Sequence, residues 1–475
     1  MVRAGHLPGL DPEGISWRDT RFSAWGQSVD VSLPVLSEPQ AHQLADHVRA
    51  NARSYLRTLP VMQIVETIDS AIARLLDRDD PYHRRAEAIL PVVTGYDAEM
   101  VRLALTGYLK CFRKPQLLRF LAEDFANPLL LDGFQPRPKG GLARAVPPGL
   151  LLHIWAGNVP GLPLWSLIAG LLVKAGTIGK VASAEPLMAG WFAQLLAEID
   201  PKLGDCLAII WWKGGEAESE QPFLDRADTM IAYGGNASLE ALRARLPVTT
   251  RFLPHGHKLA FGAVAASALD RRRAPMLARL AAQDVVRYEQ QGCYSPQVIY
   301  VARGGRVTPR DFAGMVGQEL TGLGQSYGRR DLSLSERGAL AQWRHAAEMQ
   351  GGDIISGEDW AILYRDAPEP LLPSALNRTL RIVAVDRLDA VPALVSPVRA
   401  FLQTATVAAG PEELLAIAEP LSAAGVTRIA AFGQAGLPEA GWHHDGRFSL
   451  LDLVGFSEID AAAEQAAESF AAYVD

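Results

Sequence analysis

Pro147-Pro148-Gly149-Leu150-Leu151-Leu152-His153-Ile154 opens the rhythm that decides the fold. Leu150 to Ile154 reads as a buried strand, Leu162 to Lys174 as a helix, and Thr177 to Val181 as a second strand. A helix follows over Pro186 to Glu198, then strands at Leu207 to Trp212 and Thr229 to Tyr233, then a helix over Ala237 to Arg245. Short apolar runs alternating with helices are βαβ units, and these build a parallel sheet covered on both faces. The prediction is an α/β fold with a Rossmann-type domain. Such sheets bind ligands beyond the carboxyl ends of their strands, so the loops of interest are Trp155 to Gly161, Val181 to Glu185 and Gly234-Gly235-Asn236. The apolar run Val159 to Val173 is too short for a membrane span and holds Pro160 and Pro163, so a buried helix is expected there.

Downstream, Tyr288-Glu289-Gln290-Gln291-Gly292-Cys293-Tyr294-Ser295-Pro296 precedes the strand-like run Gln297 to Val301. The helical pattern of Met276, Leu277, Leu280, Val285 and Val286 stops at Gly292, and Pro296 prevents a helix from resuming. Cys293 is thereby placed on a turn at the mouth of a strand. A thiol there is either a small buried hydrophobe or a nucleophile, since thiols are already slightly ionised near neutrality.

The 475 residues, 49% hydrophobic and 21% charged, are enough for a large core and at least two domains. The net charge of -7, with no basic block longer than Arg271-Arg272-Arg273, argues against a nucleic-acid partner. Three separated cysteines, Cys111, Cys206 and Cys293, form neither a disulfide framework nor a zinc ribbon, which fits a reducing cytoplasm. The start of the chain lacks the pattern of a signal peptide, so no export is expected. The expected division is a mainly helical region over 1–130, a Rossmann-type cofactor domain over 131–250, a catalytic α/β domain over 251–435 and a C-terminal segment over 436–475. In the first region Asp97 reads as a helix N-cap. Farther on, Leu380 to Val385 and Val426 to Phe432 read as strands, Pro411 to Ala424 as a helix closed by Gly425, and Ser457 as the N-cap of a last helix. That helix, with Ala462, Ala463, Ala466, Ala467 and Phe470 on one face, is a candidate for assembly contacts.

Neither a GxGxxG fingerprint nor a GxxxxGK[ST] phosphate loop is present. A less common order of motifs is: Trp155-Ala156-Gly157-Asn158-Val159-Pro160, Lys180, Tyr233-Gly234-Gly235-Asn236, then Cys293. This order resembles the aldehyde dehydrogenase superfamily. Glu289 to Gln297, Leu402-Gln403-Thr404, Gly425 to Ile429 and His444-Asp445-Gly446 are similar to the LuxC-type acyl-CoA reductases, from about residue 90 to the end.

The resemblance implies an aldehyde dehydrogenase-like fold and an enzyme whose Cys293 takes the acyl group from acyl-CoA or an acyl carrier protein. The resulting thioester is reduced to an aldehyde by a nicotinamide cofactor. Asn158 matches the side-chain amide that, with the backbone N–H of Cys293, receives the developing oxyanion. Trp155, Lys180, Ser183, Gly234, Gly235 and Asn236 match cofactor-contacting positions. Ser183 stands where many NAD-linked members carry an acidic residue, and a small hydroxyl leaves room for a 2′-phosphate. NADPH is therefore expected ahead of NADH, with Glu185 close enough to weigh against it. The family further implies a homodimer or homotetramer and acyl-transferring partner enzymes.

The departure from the superfamily concerns the base. Where hydrolytic members carry a glutamate ahead of the cysteine, this chain reads Pro254-His255-Gly256-His257-Lys258. Without a carboxylate to activate water, the thioester survives to be reduced. Two alternatives stay open: an aldehyde dehydrogenase with Glu289 as substitute base, and a catalytically silent acyl-CoA-binding partner. His255 and His257, with His443 and His444 beside Asp445, also invite a metal, but no third ligand has a recognisable spacing and none is expected.

Overall fold

The computed structural model describes residues 1–472. The region expected to be mainly helical begins with β structure. Strands β1 (Val2–Arg3), β2 (Ser16–Ala24) and β3 (Gln27–Val35) form a sheet in the order β1-β3-β2. The hairpin turns at Trp25 and Gly26, both at positive φ (55° and 71°), the geometry of a two-residue turn that matches strand twist. Trp-Gly is not a usual signal for such a turn. Trp25 is held in it from outside, because its indole N–H donates to the carbonyls of Gly95 and Tyr96, both at 3.1 Å.

Helices Glu38–Ser54, Val61–Leu76 and Pro81–Thr94 follow. The second buries Ile64, Val65, Ile68, Ile72 and Leu75 at helical spacing and packs on helices Met188–Ile199 and Lys114–Asp124. Asp97 caps its helix as expected, accepting from the backbone N–H of Glu99.

After β4 (Gln135–Pro136) and β5 (Leu142–Val146), the predicted alternation forms a parallel sheet. It consists of β6 (Leu150–Ile154), β7 (Gly176–Lys180), β8 (Leu207–Ile210), β9 (Thr229–Tyr233) and β10 (Arg251–His255), in the order β10-β9-β6-β7-β8. Helix Pro163–Leu172 is buried along its whole length, and no described helix is long and apolar enough to cross a membrane. The strand expected to reach Trp212 ends at Ile210, because the Trp211 and Trp212 indoles turn away to Ser183 Oγ (3.0 Å) and Glu220 Oε1 (2.9 Å).

A second sheet holds β11 (Leu259–Val264), β12 (Pro296–Ala302), β13 (Asp353–Ser356), β14 (Ala361–Arg365), β15 (Thr379–Val385), β16 (Leu402–Ala408) and β17 (Arg428–Ala430). Their order is β13-β14-β15-β12-β11-β16-β17, parallel except for β13 at one edge. Helix Pro411–Ala424 forms as read and ends at Gly425, whose φ of 111° only glycine adopts cheaply. The strand expected over Val426 to Phe432 shrinks to β17, because Asp284 draws the chain aside by accepting from the N–H groups of Gly433 (2.7 Å) and Ala435 (3.1 Å).

Ser457 is not a helix cap. It lies in β18 (Gly455–Ile459), which pairs antiparallel with β5 and completes the sheet β18-β5-β4. The last helix starts later, at Ala461, with Asp460 as its cap residue, and its alanines and Phe470 are exposed. The backbone demand of pairing with β5 overrides the local capping preference of a serine. Residues 473–475 of the C-terminal segment lie outside the described residues.

Candidate active site

The carboxyl ends of the first sheet and the amino ends of the second meet around one cavity of about 310 Å³. Its wall takes Ala156 and Asn158 after β6, Tyr233 and Gly234 at the end of β9, His255 to Lys258 between β10 and β11, Gly292 to Tyr294 before β12, and Gln403 from β16. Trp442, His444 and Asp445 close it from the C-terminal segment, and Tyr108, Leu162 and Trp165 make an aromatic, apolar side. Cys293, half-buried, therefore lies in the cleft with Asn158, as the motif order implied.

The turn that presents Cys293 is more unusual than the sequence implied. Tyr288, Glu289 and Gln290 all have positive φ (49°, 54°, 59°), and facing them Leu376, Asn377 and Arg378 do the same (57°, 51°, 66°). Each left-handed L-residue costs about 1–2 kcal/mol, so these triplets persist only because tertiary bonds over-determine them. Arg378 donates to Glu289 through two bonds of 2.9 and 2.7 Å, with both side chains sealed from water. Asn377 N–H donates to the Glu289 carbonyl at 3.1 Å. The Gln290 amide accepts from Thr379 N–H (2.9 Å) and donates to the carbonyls of Pro296 and Thr379 (both 2.9 Å). Tyr96, from the N-terminal region, donates to the carbonyls of Asn158 (2.7 Å) and Tyr288 (3.2 Å) and so ties the two site loops together. The alternative in which Glu289 serves as base is corrected here: its carboxylate is consumed by Arg378, is 1% exposed and does not line the cavity.

Asn158 donates from Nδ2 to the Gln291 carbonyl at 2.5 Å, and the second hydrogen of that amide remains for a ligand. The expectation that Trp155 contacts a cofactor is corrected for its side chain. The indole is 2% exposed, donates to Ser166 Oγ at 2.7 Å and stacks on His153. It lies so close over β7 that a Cβ at Gly179 would come within 1.8 Å of the ring, so the small residue there serves core packing.

Lys180 ends β7 and Ser183 follows it, both apart from the Cys293 cavity. Burial lowers the Lys180 pKa against the opposing pull of the Glu220 carboxylate. Glu185, which weighed against a 2′-phosphate, is turned inward: its Oε1 accepts from the N–H groups of Leu187 (2.8 Å) and Met188 (2.9 Å) at a helix start. At the end of β9, an added Cβ on Gly235 would meet nothing within 4 Å, and one on Gly234 only ordinary contacts. Packing does not demand these glycines. The space left open around Gly235, in front of the helix that starts at Asn236, is free to take a ligand.

The histidines are arranged in a way the sequence did not reveal. Tyr233, His255 and His444 form a ring stack, with centroids 4.7 Å apart for the first pair and 4.4 Å for the second, each tilted by 14°. His255 Nδ1 donates to Asp445 Oδ2 at 2.8 Å, and Gln403 Nε2 donates to Asp445 Oδ1 at 2.7 Å. His443 instead packs edge-on against Phe448, and His257 tilts toward Phe401. Among the described residues, His255, His444 and Asp445 have donor atoms within 4.8 Å of one another. The imidazoles lie face to face and one His255 nitrogen is committed to the carboxylate, so a third group with no recognisable spacing in the sequence is brought beside the two rings. Burial acts to raise the Asp445 pKa, but the bond from His255, the His444 and His255 rings and the bond from Gln403 outweigh it and hold it well below the usual range. Burial, with the neighbouring His255, lowers His444 to about 4.

Cys293 is not a ready thiolate. Burial, then the Asp445 charge, push its thiol up to about 11, against hydrogen bonds from Gln403 and its own backbone N–H and the charge of Lys258. Burial raises the other two thiols as well; Cys206 lies wholly in the core, and Cys111 directs its sulfur to the Pro438 carbonyl at 3.8 Å.

The model of the family described as Acyl-CoA reductase (LuxC) matches residues 41–456, reaching farther toward the N-terminus than the legible motifs do. A long-chain acyl-protein thioester reductase of Vibrio harveyi is 23% identical over 462 residues, 95% of this chain and 92% of that protein. Among solved structures, the aldehyde dehydrogenase KauB from Pseudomonas aeruginosa superposes with a TM-score of 0.74 at 13% identity, over 97% of this chain and 96% of that one. An NADP-dependent glyceraldehyde-3-phosphate dehydrogenase from Bacillus halodurans C-125, complexed with NADP, does so with 0.73 at 13% identity, over 97% and 100%. The fold is aldehyde dehydrogenase-like, a mixture of helices and parallel sheets.

Proposed function

Because the chain belongs to the acyl-CoA reductase (LuxC) family, we propose that it reduces acyl thioesters with NADPH through a covalent thioester on Cys293. The chain is an oxidoreductase that converts an acyl thioester to an aldehyde. The observation that carries the finer reading is the cavity itself. It holds Cys293, Asn158 and an apolar wall, and its one carboxylate, Asp445, is engaged by His255 and Gln403.

Cys293 Sγ attacks the donor's carbonyl carbon, and the donor's thiol departs. The carbonyl oxygen is received by the remaining N–H of Asn158 and the backbone N–H of Cys293. A reduced nicotinamide, when bound, supplies the hydride that brings the acyl carbon to the aldehyde level. Lys180 and Ser183 hold the adenine ribose end, and Gly234-Gly235-Asn236 the pyrophosphate. Asp445 does not activate water, since a carboxylate held so strongly ionised is a weak base. The name of the Vibrio harveyi relative supports a protein-bound acyl donor, and the description of the family a CoA-bound one. The two sheets support a cofactor domain and a catalytic domain, with the boundary moved from residue 250 to after His255, because β10 (Arg251–His255) completes the first sheet. The outer edge of β18, unpaired among the described residues, supports a homodimer or homotetramer.

The test is NADPH consumption with a panel of acyl-CoAs from short to long, run beside NADH. Aldehyde must appear in step with it; oxidation of aldehydes to acids with no acyl-CoA reduced refutes the proposal. Asn158→Ala is expected to lower turnover about 10²- to 10³-fold, the usual effect of losing one oxyanion donor, with NADPH affinity unchanged. Ser183→Glu is expected to weaken NADPH at least about tenfold while sparing NADH, because the new carboxylate meets the 2′-phosphate. Equal effects on both nucleotides would place the ribose elsewhere.

A further inference from the structure

A thiol with a pKa near 11 is ionised only about once in 10⁴ molecules at pH 7, so acyl transfer to Cys293 needs a group to take its proton. The cavity contains one ring built for that task. His255 Nδ1 is committed to Asp445 at 2.8 Å, which fixes the proton on that nitrogen and leaves the Nε2 lone pair free on a cavity-lining side chain. The ring is clamped between Tyr233 and His444, at 4.7 and 4.4 Å, so it does not swing away. The far oxygen of Asp445 is held by the Gln403 amide, and Gln403, Asp445, His255 and Cys293 all line the same cavity. Amide, carboxylate and imidazole are thus joined by hydrogen bonds, and the nucleophile lines the same cavity.

We propose that His255, oriented by Asp445, carries the proton of the acyl exchange at Cys293. As the sulfur bonds to the donor's carbonyl carbon, its proton passes to His255 Nε2. As the donor's C–S bond breaks, His255 returns that proton to the departing sulfur. RCO–SR′ and Cys293–SH thereby become Cys293–S–COR and HSR′, with no proton gained or lost. His255 is a catalytic residue in this scheme and Asp445 a positioning residue. The inference rests on the acyl-thioester reading above and deepens it.

The groups facing His255 are Tyr233 from β9, His444 and Asp445 from the C-terminal segment, and Lys258, whose Nζ lies 4.0 Å from Asp445. Of these, burial keeps His444 neutral and its hydrogen bonds keep Asp445 ionised near neutrality.

The experiment omits nucleotide, so that only the exchange is seen. Full-length wild type, His255→Gln and Asp445→Asn are mixed with octanoyl-CoA or tetradecanoyl-CoA, and the first turnover is read as free CoA thiol and as acyl-enzyme by intact mass. Wild type is expected to release one CoA per Cys293, with a rate that rises with pH, breaks and then levels off. His255→Gln is expected to slow release at least about 10²-fold and to keep gaining rate toward the thiol's own ionisation. Asp445→Asn, which retains the shape of the site, is expected to slow it at least about tenfold and displace the break. NADPH binding is measured on each variant to establish that it is folded. If His255→Gln does not fold, Asp445→Asn decides the matter. Folded variants with the wild-type rate and pH profile overturn the proposal. A wild type that releases no CoA from either donor overturns the acyl-thioester reading beneath it.

Discussion

Cys293→Ala is expected to leave no measurable reduction of any acyl thioester, a loss of at least about 10⁴-fold, while the protein stays folded and binds NADPH as before. The size follows from chemistry: with the sulfur gone there is no atom to hold the acyl group, and residual rate comes only from binding and the oxyanion donors. The tolerance follows from packing. Cys293 is half-buried on a cavity wall, so deleting its sulfur opens no sealed void. Neither remaining thiol can substitute, since Cys206 is fully buried and Cys111 lies outside the cavity. NADPH absorbance, aldehyde yield and acyl-enzyme mass measured together decide the point. A variant retaining even a hundredth of wild-type turnover would show that reduction bypasses a Cys293 thioester.

Glu289→Gln is expected to cost about 3–5 kcal/mol of stability, the usual effect of removing one partner from a fully buried ion pair. Arg378, 0% exposed, would be left with a charge that its 2.7 Å bond to the Tyr327 carbonyl does not neutralise. The same change releases one side of the facing left-handed triplets, so Cys293 loses its fixed position and turnover falls along with stability. Chemical denaturation followed by intrinsic fluorescence measures the first effect, and acyl-CoA reduction well below the melting temperature measures the second. Replacing both residues, as Glu289→Met with Arg378→Leu, removes the stranded charge and is expected to recover part of the stability. If the single variant loses less than about 1 kcal/mol, the pair is not the clamp described. A folded single variant that loses turnover alone, with no change in stability, would instead return Glu289 to a direct chemical role.

The placement of His255 and Asp445 also bears on why the thioester is reduced and not hydrolysed. In the proposed scheme His255, held by a carboxylate and enclosed between two rings, serves the Cys293 sulfur, whereas a free glutamate beside the nucleophile can orient water. The site retains proton transfer while keeping its carboxylate occupied.

By itself, the sequence determined strands β6 to β9 of the first sheet, the turn before β12 and the position of Cys293 on it. These rest on local signals, apolar runs, helix periodicity and a proline that bars a helix, which neighbours along the chain suffice to read. It also determined the family, because Asn158, Lys180, Gly234 and Cys293 keep their order over a long span. Tertiary structure alone decided the rest. Arg378 finds Glu289 across 89 positions and Asp445 finds His255 across 190, and no local pattern encodes which distant charge a buried group will meet. For the same reason Ser457, a fair helix cap in isolation, became a strand residue once β5 offered its edge, and Trp155 went to the core once Gly179 made room for its ring. The raised thiol of Cys293 belongs to this class too, since burial and a remote carboxylate set it.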